Sequence, residues 1–243
     1  TTHPALGAGL SRRYANDALS VARWRDDRGA SDPLRVLLIV DPTLDLPGAM
    51  AEGEALQQLL GRKSVTLDVL TGRDATRARI VAALGTGAFD VLHFAGHAFF
   101  DAREPEQGGL LCAGKEVLRG ADLASVGNLP ALVFCNACEA ARVRKRTRVS
   151  ASPARQFGLR RTMTGIAEAF LTGGVANFLG THWPVGDDAA FAFSQSLYGS
   201  LLTGDRLGDA VLTARRRLES IPTVDWADYV HYGSPEFRLA GFP

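Results

Sequence analysis

Strands and helices alternate along this chain, which predicts an α/β fold built on a largely parallel sheet. Three observations carry that expectation. Short apolar runs rich in β-branched and aromatic residues recur along the 243 residues, segments with apolar residues at helical spacing separate them, and Gly or Pro punctuates most joints. Two of the runs stand out because each stops at a reactive side chain. Phe89-Asp-Val-Leu-His-Phe-Ala-Gly-His97 ends on an imidazole, and Ala131-Leu-Val-Phe-Cys-Asn-Ala-Cys138 ends on a thiol 41 positions later.

Taken in order, residues 1–33 read as an N-terminal arm with an amphipathic helix over 14–24, and residues 34–243 as the main domain. Residues 35–41 form a continuous apolar strand bounded by Pro33 and Pro42. A helix over 50–60 stops at Gly61, a strand follows over 65–70, and a helix spans 75–84. The strand over 89–95 precedes a broken stretch, 98–118, that reads as a small hairpin insertion. A short helix over 121–126 leads to the strand over 131–136. Residues 142–162 are polar, basic and patternless, a loop long enough to expect function or disorder. Beyond it come a helix over 164–171 closed by Gly173-Gly174 and a strand over 175–182 stopped by Trp183-Pro184. Helices over 187–202 and 207–218 follow, with Asp187 or Asp188 as the cap of the first. Closing strands are expected over 226–232 and 237–239.

Composition narrows the function classes. With 46% apolar and 22% charged residues the chain can bury a full core. The net charge of +1 hides an asymmetry: eight of the 27 Lys and Arg fall between Arg142 and Arg161, where no Asp or Glu occurs. The rest of the chain is acidic, so a basic loop sits on an acidic body. Three cysteines do not make a disulfide framework, which points to a reducing, cytoplasmic setting. No apolar stretch approaches the length of a membrane span and no signal peptide is visible, so no membrane partner is expected. The chain starts at Thr1 rather than Met, as a piece of a larger protein with regulatory domains would.

In open α/β sheets, sites form beyond the carboxyl ends of the strands, where His97 and Cys138 both fall. A thiol beside an imidazole is a nucleophile with its proton acceptor. Gly96 and the backbone at Cys138 are the candidate donors to an oxyanion. Buried cysteines are more often inert small hydrophobes, which is the expectation for Cys135 and Cys112. His93, inside its apolar run, reads as a core histidine; His182 and His231 stay ambiguous. On the residues alone, a reactive pair and two unrelated side chains are equally good readings. A rival is a metal or redox site of Cys135, Cys138, His93 and His97, although Cys135 and His93 fall within expected buried strands. A nucleotide-binding domain is a weaker rival, since no G-x-G-x-x-G or G-x-x-x-x-G-K-[ST] follows a strand.

His-Phe-Ala-Gly-His at 93–97 and Asn-Ala-Cys-Glu at 136–139 resemble the two signature stretches of CHAT domains, the bacterial branch of caspase-like cysteine peptidases. Leu38-Ile-Val-Asp-Pro42, Gly180-Thr-His-Trp-Pro-Val185 and Trp226 through Tyr232-Gly-Ser-Pro-Glu236 resemble the family too, so the likeness runs over roughly residues 34–240. It implies a caspase-like α/β/α sandwich and a cysteine endopeptidase with a His97/Cys138 dyad, acting on a protein substrate without a cofactor or metal. Family members commonly carry Gly where this chain has Ala98, and Ser where it has Ala140. Ala98 makes the backbone near the oxyanion less permissive.

Arg-cleaving relatives such as separase place an acidic residue shortly after a Trp on the loop beyond the next strand. Asp187 and Asp188 after Trp183 resemble that placement, and with Glu139 they make up the expected substrate-binding set. The likeness also makes the basic loop a regulatory one, with Arg144, Arg146 and Arg148 as self-cleavage candidates. Nucleic acid is not the expected partner, because only Phe157 interleaves the basic residues. The alternative to an active peptidase is a catalytically silent interaction or scaffold module of a larger signalling or defence protein.

Overall fold

The computed structural model describes residues 3–12, 33–61, 64–99, 107–137, 165–219, 221 and 224–239. The helix expected over 14–24 and the basic loop lie outside them.

Five parallel strands and one antiparallel edge strand form the central sheet. They are β1 (Leu34–Val40), β2 (Val65–Thr71), β3 (Val91–Ala95), β7 (Leu132–Asn136), β8 (Asn177–Thr181) and the antiparallel β9 (Tyr229–Tyr232). Their spatial order is β2-β1-β3-β7-β8-β9. A separate three-stranded antiparallel sheet, β4 (Ala98–Phe99), β5 (Gly109–Leu111) and β6 (Val117–Arg119), is the expected small insertion, one strand richer than a hairpin.

The helices are α1 (Pro4–Gly7), α2 (Pro47–Leu60), α3 (Arg77–Gly85), α4 (Gly120–Leu123), α5 (Ile166–Thr172), α6 (Asp187–Leu201) and α7 (Leu207–Glu219). Helix α2 starts three residues earlier than its apolar spacing suggested, because Pro47 occupies the first turn, where a missing N–H costs nothing. Thr76 caps α3 by accepting the Arg79 N–H, which delays that helix behind a short 3₁₀ turn.

Two of the expectations fail. Residues 237–239 are not a strand: Phe237 and Leu239 are buried as core plugs, and the Phe237 carbonyl accepts the Leu207 N–H at the start of α7. Burial, rather than sheet pairing, explains their apolar character. Asp187 and Asp188 do not cap α6 either; Gly186 is the cap residue and makes no side-chain bond, while both acids lie in the first turn.

The layers follow from strand alternation. Leu37, Ile39, Leu92, Phe94, Val133 and Cys135 face the core under α3, α5 and the small sheet. Val36, Leu38, Val40, Val91, Leu132 and Phe134 face the opposite core under α2, α6 and α7. Both faces of β1, β3, β7 and β8 are therefore dry, as their unbroken apolar runs require, whereas the edge strand β2 is mostly half-buried with Asp68 exposed. Gly53 lets α2 lie close on β1, since a Cβ there would come within 2.6 Å of Val40. The arm docks on α7: Arg216 donates to the carbonyls of Leu6 and Gly7, at 2.7 and 2.8 Å. Arg12 bridges in parallel to Tyr232 on the edge strand.

Candidate active site

Strands β3 and β7 are hydrogen-bonded neighbours, with Ala95 paired to Asn136. His97 lies two residues past that pair, and the chain continues from Asn136 through Ala137 toward Cys138. Cys138, Glu139, Arg144, Arg146 and Arg148 lie outside the described residues.

The imidazole of His97 stands in a shallow cleft at the carboxyl edge of the sheet, 36% exposed. Its Nε2 is 3.2 Å from Oδ1 of Asp45, so that nitrogen donates and carries the proton. Nδ1 is left unprotonated in the neutral ring. Asp45 owes its position to the turn after β1. The buried carboxylate of Asp41 accepts the N–H groups of Asp45 and Leu46, at 3.2 and 3.3 Å, and folds the loop around itself. That turn holds Asp41 and Leu44 at positive φ, 39° and 62°, a strain of the kind that persists where surrounding bonds over-determine it. The hydroxyl of Thr43, and secondarily His97, hold the Asp45 carboxyl below its usual range.

Gly96 is required at its position. A Cβ there would meet the Phe94 ring at 2.9 Å and Pro42 at 3.1 Å. Its N–H is directed at the Asn136 carbonyl over a long 3.4 Å. On the neighbouring strand, the Thr181 hydroxyl donates to the Ala137 carbonyl at 2.7 Å, which pins the backbone one residue before Cys138.

A buried polar chain supports the cleft from below. Asn136 donates from Nδ2 to Glu52 at 2.8 Å and to the Ala190 carbonyl at 3.2 Å, while its Oδ1 accepts the Tyr229 hydroxyl at 3.0 Å. Glu52 also lies 3.2 Å from Nε2 of His93, without the alignment of a hydrogen bond, and Nδ1 of His93 is 3.2 Å from the Tyr198 hydroxyl. Burial and the nearby Glu52 push both tyrosine hydroxyls well above their usual range, so they stay protonated donors. His93 is thus the core histidine expected.

Of the proposed substrate-binding acids, Asp187 lines the same cleft as His97 and Gly96, together with Glu52 and Thr181. Its carboxylate lies over the first turn of α2, where a Cβ on Gly48 would come within 2.3 Å of it. Asp188 and Trp183, the latter half exposed, are not among the lining residues. Glu52, Asp45 and the role of Tyr229 escaped the sequence reading, and Asn136 entered it only within the signature stretch. Only Asp45 had a further usable signal, as an acid in the turn beyond a strand end; Glu52 and Tyr229 join the site through tertiary packing.

The metal rival fails on geometry. Cys135 faces the core under α5, whereas His93 faces the opposite side of the sheet toward Tyr198, so the two cannot ligate one ion. Burial drives the Cys135 thiol far up and the Cys112 thiol up to about 11, which marks both as inert apolar groups.

A mostly parallel sheet is flanked by helices on both faces, with the His97 imidazole at its carboxyl edge. The chain belongs to the CHAT domain family, whose family model matches residues 10–234. None of the curated proteins matches it. Among solved structures it is similar to separase from Saccharomyces cerevisiae in complex with securin, with a TM-score of 0.59 and 16% identity over 88% of this chain. It is also similar to RgpB of Porphyromonas gingivalis, solved as a complex of pro- and mature domains, with a TM-score of 0.57 and 12% identity over 92% of this chain. The chain spans 13% of that separase chain and 50% of the RgpB chain, and at these identities the likeness speaks to the fold.

Proposed function

We propose that this domain is a cysteine endopeptidase in which Cys138 is the nucleophile and His97 its proton carrier. The observation that carries this is the pairing of Ala95 with Asn136, which puts the residues leading to His97 and Cys138 at one sheet edge. Cys138 is one residue from Ala137, whose carbonyl is tied to Thr181, so covalent reach limits how far its Cα can stand from the cleft. Nδ1 of His97 takes the thiol proton, the thiolate attacks the peptide carbonyl, and the imidazolium returns the proton to the leaving amine. Water then hydrolyses the thioester by the same proton route. Asp45 acts as a positioning residue: it fixes the tautomer with the proton on Nε2 and favours the imidazolium as it forms. The Cys138 N–H supplies an oxyanion donor, and Gly96, whose 3.4 Å bond is weak enough to exchange, supplies the second.

Asp187 is the reader of a basic side chain before the scissile bond, by a charged hydrogen bond in the cleft it shares with His97. Asp188, Trp183 and Glu139 are the further substrate-binding residues that the family resemblance suggests. One of Arg144, Arg146 and Arg148 is then a fitting site for self-cleavage. Both solved relatives are held in complexes, with securin or with a pro-domain, which fits an enzyme controlled by a protein partner.

The test is a panel of fluorogenic peptides carrying Arg, Lys, Leu or Asp before the scissile bond, run on the wild type, Cys138→Ala and Asp187→Asn. The dyad predicts that Cys138→Ala abolishes turnover, and activity that survives this substitution sinks it. The acidic pocket predicts that Asp187→Asn lowers kcat/KM for Arg by about tenfold or more and leaves Leu unchanged. Intact mass after incubation reads self-cleavage, which must vanish in Cys138→Ala. No turnover on any peptide or on itself would favour the silent interaction module.

A further inference from the structure

A second cavity, of about 80 Å³, lies between the N-terminal arm and the edge strand and shares no lining residue with the His97 cleft. Its lining includes His3, Arg12, Arg215, Trp226, Tyr229 and His231. Arg215 is 3% exposed and has no carboxylate partner among the described residues. Nη1 donates to the Leu10 carbonyl at 3.1 Å and Nη2 to the Tyr229 carbonyl at 2.7 Å, while Nε is buried with no hydrogen-bond partner among the described residues. A buried guanidinium without a counter-ion is uncommon, because the desolvation of its charge is offset only by neutral carbonyls.

The surroundings add positive charge. Arg12, exposed and bonded through Nη1 to the Tyr232 hydroxyl, is close enough to oppose the Arg215 charge. Burial first, and Arg12 second, hold the Arg215 guanidinium down to about 10. His231 cannot compensate: Ser11 and Asn177 engage its two nitrogens, and burial keeps it neutral. His3 contributes a further donor. Its Nδ1 accepts the Ala5 N–H at 3.2 Å, so the ring proton sits on Nε2, and the ring packs edge-on to Trp226 at the cavity wall.

We propose that this cavity binds a single oxyanion, the carboxylate or phosphate group of a ligand, between Arg12 and Arg215 with His3 as a third donor. The volume is several times what one water needs, which suits one such group and not a nucleotide. Guanidinium forks match both carboxylate and phosphate oxygens, so the chemistry is shared between the two sources. An anion would neutralise two like charges at the joint that ties the arm to α7 and β9.

Thermal unfolding of the full chain, with inorganic phosphate or acetate titrated against chloride at matched ionic strength, tests the site. The proposal expects a saturable rise in midpoint that chloride does not reproduce. Phosphate alone being effective assigns a phosphorylated ligand, and acetate being equally effective assigns a carboxylate. Arg12→Gln, on an exposed side chain, should weaken the apparent affinity about tenfold, and Arg215→Lys at least as much. A rise that fails to saturate, that chloride matches, or that persists unchanged in Arg12→Gln overturns the proposal and leaves Arg215 as a clamp on the arm.

Discussion

His97 shows how one side chain acquires a role from a turn fifty residues upstream. An imidazole in a cleft can present either nitrogen, and the carboxylate of Asp45 selects Nε2 for the proton. Because Asp45 is 62% exposed, water screens its charge, and its effect is one of orientation more than of electrostatic strength. Asp45→Asn should therefore lower kcat by about three- to tenfold with little change in KM. A raised KM with an unchanged kcat would show that Asp45 binds substrate instead.

Strand β7 matters for where it ends. Asn136 closes the strand with its side chain tied on both sides, to Glu52 on α2 and to Tyr229 on β9, while Thr181 on β8 holds the next carbonyl. Three elements thus anchor the segment that leads to Cys138. Tyr229 is also stacked on Phe193, rings parallel within 3°, so removing its hydroxyl leaves the packing in place. Tyr229→Phe should cost about 1–3 kcal/mol, since the buried Asn136 oxygen loses its donor, and should lower kcat while sparing KM. Chemical denaturation and steady-state kinetics read the two effects separately. Stability unchanged within error would mean the bond carries no weight.

Across the whole molecule, acid sensitivity is built into the edge strand. Burial, then Arg215, hold the His231 imidazole down to about 3, against a usual 6.5. A histidine depressed in the fold is neutral there while the unfolded chain takes up a proton. Its contribution to stability is complete above pH 6.5 and is lost as pH falls toward 3, by up to about 1.4 kcal/mol per pH unit. Urea midpoints measured from pH 7 down to about 4.5 should fall steeply for the wild type. His231→Gln, weaker at neutral pH, should give a flatter slope, and equal slopes would assign the acid lability to other groups. Among the described residues no helix is long and apolar enough to cross a membrane.

Much of this was legible in the chain. Strands buried on both faces read as unbroken apolar runs, so β1, β3, β7 and β8 and the α/β class could be named from local pattern. The same pattern put His97 and Cys138 past strand ends, and signature residues gave the family. Residues 237–239 were misread because a core plug and a strand share the same apolar spacing, and only packing separates them. Asp187 and Asp188 were indistinguishable as neighbours in sequence; the crossing of α6 over α2 sends one into the cleft and leaves the other outside it. Asp45, Glu52 and Tyr229 meet the site from three separate elements, and the charge cluster of Arg12 and Arg215 joins residues two hundred positions apart. Periodicity along a chain records which face is buried, whereas those meetings depend on strand order and helix crossing, which no local pattern encodes.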